Sequence, residues 1–282
     1  MKRFVILFIL GLGVGLGLGP AAAQNTTKAV NDLLLQAGDA EQKNDFDGAI
    51  RAYSRIIQLR PGDEAAFLDR GDNYAAKKDF THAVADFDQA IKLKPDDARA
   101  YDYRGIANLT AGHDDVALGD FSKAIALNPD YAGALEYRGM AYDDKRDLDH
   151  AIADYSAVIK LQPDDAQAFN ARCWDRAYLN RDLDAALGDC NAALKLVNDR
   201  QTMVAVRDSR GFAYFRKGDM THAITDYDAA LTLAPRMAET LYKRGLAKNR
   251  SGNAAGGKSD IAAALRLDPH AGDDMTEIGL QP

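Results

Sequence analysis

Two cysteines are the residues of this chain whose chemistry is easiest to name. Both lie in the stretch CWDRAYLNRDLDAALGDC, which runs from Cys173 to Cys190. Thiols that lie so close in sequence could form a disulfide, act as a redox pair or bind a metal. The Cys-x-x-Cys spacing of a redox motif is missing, and the histidines are spread along the chain. A disulfide and a pair of buried, reduced thiols therefore remain as the two interpretations.

Motifs of known catalytic chemistry are missing from the chain. It has no Gly-x-Ser-x-Gly, no Walker loop and no His-Glu-x-x-His. The segment SGNAAGGKSD, residues 251–260, resembles a phosphate loop only superficially, because its glycines are wrongly spaced before the lysine. No two carboxylates are marked by their spacing as a general acid and base. We therefore predict no catalytic residue, no metal site and no cofactor.

Arginine and aspartate recur together at a separation of sixteen residues, or once of seventeen. Such a pair can form two parallel hydrogen bonds between a guanidinium and a carboxylate. A row of ligand-binding arginines is the alternative. We predict structural ion pairs, each closed within one repeating unit of the chain. The six pairs are Arg70 with Asp86, Arg104 with Asp120, Arg138 with Asp154, Arg172 with Asp189, Arg210 with Asp226, and Arg244 with Asp260.

These pairs belong to a repeat of 34 residues, seen in RGDNYAAKKDFTHAVADFDQAIKLKP and RGMAYDDKRDLDHAIADYSAVIKLQP. Most copies have a small residue at position 8, Ala at 20, an aromatic residue at 24 and Pro at 32. Position 16 is mostly Asp, which predicts the N-cap of a second helix. One helical hairpin cannot bury its apolar face alone, so neighbouring copies should stack. The seven copies, repeats 1 to 7, cover residues 30–63, 64–97, 98–131, 132–165, 166–200, 204–237 and 238–271.

The pattern at positions 8, 20, 24, 27 and 32 resembles the tetratricopeptide repeat over residues 30–271. The resemblance implies an all-α fold, a right-handed α-solenoid of about seven helix-turn-helix units. It also implies that positions 2, 5, 9 and 12 of the first helices line a concave face. Side chains there would bind a partner, although packing between neighbouring repeats is the alternative for the aromatic ones. The implied partner-binding residues are Asp72, Asp102, Glu136, Met140, Asp143, Asn170, Trp174, Asp208, Phe212 and Tyr242.

Repeat 5 departs from the pattern and contains both cysteines. Cys173 is at position 8, where other repeats have Gly or Ala, and Cys190 is at position 24, where they have Tyr, Phe or Ile. The side chain at position 8 is larger than in the other repeats and the one at position 24 is smaller, so the two positions should share one pocket. We predict a disulfide there. Repeat 5 also has one extra residue and lacks Pro at position 32, which indicates either a joint or a rigid landmark.

The first residues, MKRFVILFILGLGVGLGLGPAAAQ, indicate export. Two basic residues, an apolar run and the small residues before Gln24 predict a secretory signal peptide, residues 1–23, cleaved after Ala23. An uncleaved anchor is the alternative, but the run is shorter than the ~20 residues that cross a bilayer. We expect a bacterial protein, periplasmic or secreted, without a membrane span after cleavage. Residues 24–29 would be a linker and 272–282 a C-terminal tail.

The formal net charge of −7 argues against nucleic-acid binding, which needs a basic surface. The preferred hypothesis is a non-catalytic scaffold that binds a basic or apolar protein or peptide in its concave groove. A cell-wall glycan binder, with Trp174 and Phe212 stacking on sugar rings, is the alternative. An enzyme is a third hypothesis, which only the abundance of carboxylates supports. Self-association through the terminal repeats stays open, and the sequence leaves the oligomeric state undetermined.

Overall fold

The structure is a computed structural model that describes residues 20–282, with side chains from Gln24 onward. Every regular element in this range is a helix, as an all-α solenoid of helical hairpins requires. The helices pair as α1 (Pro20–Gln42) with α2 (Phe46–Leu59), α3 (Glu64–Ala76) with α4 (Phe80–Leu93), α5 (Ala98–Thr110) with α6 (Asp114–Leu127), α7 (Ala132–Asp144) with α8 (Leu148–Leu161), α9 (Ala166–Tyr178) with α10 (Leu183–Leu196), α11 (Arg200–Lys217) with α12 (Met220–Leu233), and α13 (Ala238–Arg250) with α14 (Ala254–Leu267), followed by the short α15 (Asp273–Glu277).

The chain forms two compact parts, divided between Lys94 and Pro95. The N-terminal part contains α1–α4 and the C-terminal part contains α5–α15. In each part, consecutive helices from α1 to α4 and from α5 to α14 pack against each other, which is the arrangement of an α-solenoid. The division lies before repeat 3, so repeat 5, which the sequence offered as a possible joint, continues the packing of the C-terminal part.

Helix α1 begins before the first repeat. The predicted signal peptide lies outside the described residues, except for residues 20–23, which start this helix. Residues 24–29, predicted as a linker, are helical as well. They contain neither Gly nor Pro, so nothing in them stops the helix. Residues 201–203 between repeats 5 and 6 are helical as well. Asp199 caps the start of α11 by accepting from Thr202 N at 2.8 Å.

Polar side chains at position 16 begin most of the second helices, as the repeat pattern predicts. Asp45, Asp79, Asp219 and Asn253 each accept a hydrogen bond from the backbone N–H three residues later, at 2.9–3.3 Å. The side chains of the residues at position 16 of repeats 4 and 5 form no such cap. The capped N–H groups would otherwise lack partners within the helix.

The two helices of a repeat approach each other most closely where position 8 meets position 24. A Cβ added to Gly71 would lie 2.6 Å from Phe87 Cε1, and one added to Gly139 would lie 2.9 Å from Tyr155 Cε1. In these two repeats a side chain at position 8 therefore has no room beside the ring at position 24.

Repeat 5 fills the same space with a disulfide between Cys173 and Cys190. The Cα atoms are 5.6 Å apart, and both residues are fully buried. The predicted bridge is confirmed, and so is the shared pocket that the residue exchange implied.

We expect the disulfide to stabilise repeat 5 mainly by restricting the unfolded chain. Cys173→Ser/Cys190→Ser should lower the free energy of unfolding by about 3 kcal/mol. Cys173→Gly/Cys190→Phe, which rebuilds the pairing of repeats 2 and 3, should lose less because it fills the pocket. Urea unfolding with and without a reductant measures both variants and the wild type. Wild-type stability that does not change on reduction would contradict this account.

Candidate functional site

The six arginine–aspartate pairs all lie within single repeats. In each pair the arginine Nε and Nη2 atoms donate to the two carboxylate oxygens of the aspartate, at 2.6–3.0 Å. The aspartate side chains are at most 11% exposed. A fork of this kind fixes the relative position of the two helices of a repeat.

Five of these arginines also contact the preceding repeat. Arg70 Nη1 donates to Ser54 Oγ at 3.0 Å, and Arg138 Nη1 donates to Ser122 Oγ at 3.2 Å. Corresponding bonds join Arg172 to Ser156, Arg210 to Asn191 and Arg244 to Asp228. Each of these guanidiniums thus joins three helices, and its donors are engaged inside the protein. The structural interpretation therefore explains them without a ligand.

Three of the predicted partner-binding carboxylates differ in how exposed they are. Asp72, in the N-terminal part, is exposed. In the C-terminal part, Asp102 is 3% and Asp208 8% exposed. Asp102 accepts from Tyr131 Oη at 2.8 Å, and burial raises its pKa to about 6. Asp208 accepts from Thr240 Oγ1 at 2.7 Å and pairs with Lys243. The prediction that Asp102 and Asp208 face a partner is corrected, because both are buried: Asp102 bonds to Tyr131, the last residue before α7, and Asp208 joins repeats 6 and 7.

The predicted groove aromatics form a cluster instead of an open platform. Phe212 is fully buried, with its ring centroid 4.9 Å from that of Trp174, and Tyr242 is 5% exposed. The prediction of a partner contact for Phe212 is therefore corrected too, whereas Tyr242 is covered where Gly272 lies against its ring. Trp174 is half-buried, and the ammonium of Lys243 lies 4.6 Å from its ring centroid. Packing between repeats, the alternative interpretation, describes these rings.

The remaining predicted residues stay accessible to different degrees. Met140 is 44% exposed. Glu136, Asp143 and Asn170 are half-buried, and burial raises the pKa of Glu136. Together with Trp174 these side chains belong to the first helices of repeats 4 and 5, where the repeat pattern placed a concave face.

The C-terminal segment, Gly272–Pro282, covers part of this face. Its Met275 and Leu280 are 3% and 7% exposed and belong to the same buried cluster as Phe212 and Tyr242. Gly272 lies against the ring of Tyr242 so closely that a side chain at this position would not fit. The sequence predicted only a tail here, and the acidic and apolar order of its residues was the signal that could have placed it.

Charged contacts hold the C-terminal segment to repeats 4 and 5. Arg146 Nη2 donates to Asp274 Oδ1 at 2.5 Å and lies 3.5 Å from Glu277 Oε2. The Arg146 guanidinium also lies 4.9 Å from the ring centroid of Tyr178, whose hydroxyl donates to Glu277 at 3.2 Å. We call Arg146, Trp174, Tyr178, Tyr242 and Lys243 the groove surface.

A cavity of about 170 Å³ remains between the C-terminal segment and the groove surface. Trp174 and Lys243 line one side of it, and Asp274 and Met275 line the other. Sequence reasoning missed Arg146, Tyr178 and Lys243. They lie at positions that the implied concave set of 2, 5, 9 and 12 leaves out.

A buried pair of carboxylates lies where repeats 4 and 5 meet. Asp143 accepts from Tyr155 Oη at 2.6 Å, and Asp175 beside it is 1% exposed. Burial, and after it the charge of Asp143, raises the pKa of Asp175. Burial is also the main cause that raises the pKa of Asp143. Both carboxylate oxygens of Asp175 are buried without a hydrogen-bond partner, and burial raises its pKa to about 9, so we infer that Asp175 is protonated at neutral pH. Asp175 occupies position 10, where repeats 3, 4, 6 and 7 have Ala, and that exchange was its signal in the sequence.

Histidines and metal ligands add no further site in the described part of the chain. His82, His150 and His222 are exposed and stack on the tyrosines at position 11 of their repeats, with centroids 4.9–5.0 Å apart. Between residues 20 and 282, no three His, Cys, Asp or Glu side chains gather in a way that could hold a metal ion. No helix in the same range has the length and apolar character needed to cross a membrane.

We expect the arginine forks to be strongly coupled. Arg138→Ala should lower the free energy of unfolding by about 3–5 kcal/mol, because it leaves Asp154 buried without its cation. Arg138→Met/Asp154→Leu should recover most of this loss. A double-mutant cycle by urea unfolding measures the coupling. Equal losses for the single and the double variant would show that the pair itself matters little.

The raised pKa of Asp175 predicts a pH dependence. A carboxyl group whose pKa is raised on folding stabilises the fold fully below its unfolded pKa, near 4, and loses that contribution as pH rises through the folded pKa. Asp175→Asn should therefore raise the free energy of unfolding at neutral and alkaline pH by about 1–3 kcal/mol and flatten its dependence on pH. Thermal unfolding from about pH 5 to about pH 9 tests this, with the exposed Asp164→Asn as control. A flat wild-type profile would exclude the raised pKa of Asp175.

Comparisons with known proteins agree with the fold. Residues 71–112 match the TPR repeat family, and residues 104–166 and 207–237 match tetratricopeptide-repeat families. No curated protein matches the chain.

Solved structures similar to this chain include MamA, at 28% identity and a TM-score of 0.53 over 57% of this chain and 93% of that one. A tetratricopeptide repeat protein from Parabacteroides merdae ATCC 43184 is 16% identical, with a TM-score of 0.64 over 90% of this chain and 98% of its own. YrrB, a TPR protein with an unusual peptide-binding site, is 22% identical, with a TM-score of 0.52 over 64% of this chain and 96% of its own. The last two likenesses concern the fold alone. With its seven helical hairpins and these matches, the chain belongs to the tetratricopeptide-repeat family.

Proposed function

We propose that this chain is a non-catalytic scaffold that binds a segment of another protein on its groove surface. The observation that carries the proposal is the C-terminal segment, a stretch of polypeptide held there by buried apolar side chains and by Arg146. A surface that holds one such segment has the chemistry to hold another. The peptide-binding site named for YrrB, a protein of similar fold, supports this direction.

The contacts argue for protein over glycan as the ligand. Stacking on a sugar needs an aromatic ring with an open face. Phe212 is fully buried, while Trp174 has the Phe212 ring and the Lys243 ammonium as close neighbours. No observation therefore favours the glycan alternative that the sequence raised.

The proposal includes export of a bacterial protein to the periplasm or the medium. The disulfide between Cys173 and Cys190 supports it, since such bonds persist in oxidising compartments. The predicted signal peptide supports it from the sequence. The mass of the chain recovered from cells tests it, because export with cleavage predicts a chain that begins at Gln24.

Site-specific photocrosslinking in the host cell tests the binding function. A photoreactive residue replaces Met140, which is 44% exposed at position 9, one repeat before Trp174. Val116, 54% exposed at the start of a second helix, is the matched control. We expect a discrete crosslinked protein from position 140 and none from position 116. Crosslinks of equal strength from both positions, or none from position 140, would refute binding at this face.

A further inference from the structure

We propose that the C-terminal segment is an internal stand-in for the partner, so that the groove surface takes an acidic and apolar peptide which competes with Gly272–Pro282. This inference rests on the proposed scaffold function and names its ligand class. It reverses the sequence-based expectation of a basic partner.

The charges of the accessible groups carry the first step. Two of the carboxylates predicted in the groove, Asp102 and Asp208, are buried and already hydrogen-bonded, to Tyr131 and Thr240. The cation that reaches the C-terminal segment is Arg146, which contacts Asp274 and Glu277. A ligand that replaces the segment must therefore present carboxylates to Arg146.

The spacing of the segment carries the second step. Its sequence DDMTEIGL places acidic residues at 273, 274 and 277, of which the last two contact Arg146, and apolar residues at 275, 278 and 280. Met275 and Leu280 are buried, and Ile278 packs against the same cluster. The ligand class is therefore a peptide with the order acidic, apolar, any, acidic, apolar, any, apolar, which corresponds to residues 274–280.

The way in which the segment is attached carries the third step. One backbone hydrogen bond joins the segment to repeat 7, from Asp273 N to His270 O, and the others run within the segment, from Thr276 N to Gly272 O, from Gly279 N to Thr276 O and from Leu280 N to Met275 O. Side chains hold it to the repeats, and the Arg146–Asp274 pair is 42% and 46% exposed. Residues 274–282, held in this way, can leave the groove surface without breaking a backbone bond to the repeats.

The probe is a synthetic peptide with the sequence of residues 271–282, AGDDMTEIGLQP, added to the full-length protein. Trp174 is the only tryptophan of the chain and lies at the cavity beside Met275, so its fluorescence reports on occupancy. In the variant Met275→Asp/Leu280→Asp the internal segment should be released. We expect this variant to bind the peptide at least about tenfold more tightly than the wild type does, because its site is no longer occupied.

Two controls define the recognition. Arg146→Ala, added to the released variant, should weaken peptide binding by about tenfold. Arg181→Ala removes another exposed arginine, which pairs with Asp149, and should leave binding unchanged. A peptide in which the residue corresponding to Glu277 is lysine should fail to bind.

Several outcomes would overturn the inference. If the released variant loses its helical circular dichroism, the segment is part of the fold and cannot exchange. If it stays folded and binds no more tightly than the wild type, the segment does not occupy the ligand site. If the wild type is a dimer and the released variant a monomer, the segment serves a second copy instead of an external peptide.

The crosslinking experiment separates this inference from the proposed function. Peptide binding by the released variant, with no protein crosslinked from position 140, would leave the ligand chemistry standing and refute the scaffold function. A partner crosslinked equally in the wild type and in the released variant would support the scaffold and refute competition by the segment.

Discussion

The fork between an arginine at position 7 and an aspartate at position 23 is the interaction on which each hairpin from repeat 2 onward depends. Arg138 shows its reach, since one guanidinium joins Asp154 of its own repeat and Ser122 of the repeat before. Desolvation offsets much of the attraction in such a buried pair, so its main effect is on geometry. A planar group with five donors fixes angles as well as distances between helices, which a lysine could not do. The regular stacking within each compact part follows from that constraint.

Repeat 5 shows how much variation the constraint permits. Its extra residue lies in the loop before α10, where Asn180 and Asp182 both have left-handed backbone conformations, with φ of 52° and 51°. The loop absorbs the insertion, and the fork from Arg172 therefore survives at a separation of seventeen residues. The contact between positions 8 and 24 is replaced by a covalent bond of similar span. The side chain at position 24 thus fills the space between the two helices, whether it is a ring, Ile261 or the sulfur of Cys190.

Most polar groups beside the groove surface are used in contacts between repeats. Asp208 and Lys243 bind across the junction of repeats 6 and 7, and the carboxylates of Asp143 and Asp175 face each other between repeats 4 and 5. The acidic residues counted along the sequence therefore say more about the junctions between repeats than about the binding face. Arg146, at the turn after α7, lies over the ring of Tyr178 in repeat 5, and its guanidinium also reaches the C-terminal segment.

The sequence by itself determined the helical hairpins, their seven copies, the partners of Arg138 and its equivalents, and the pairing of Cys173 with Cys190. Each of these follows from a period of 34 residues, because a contact made in one repeat recurs in the others and leaves its mark on residue types. Only the tertiary structure decided which groove residues are buried and where the C-terminal segment lies. Those contacts occur once and span up to 128 residues, as between Arg146 and Asp274, so no periodic signal records them. Which groove residues are buried, and where the C-terminal segment lies, depends on the side chains that the neighbouring repeats already bind.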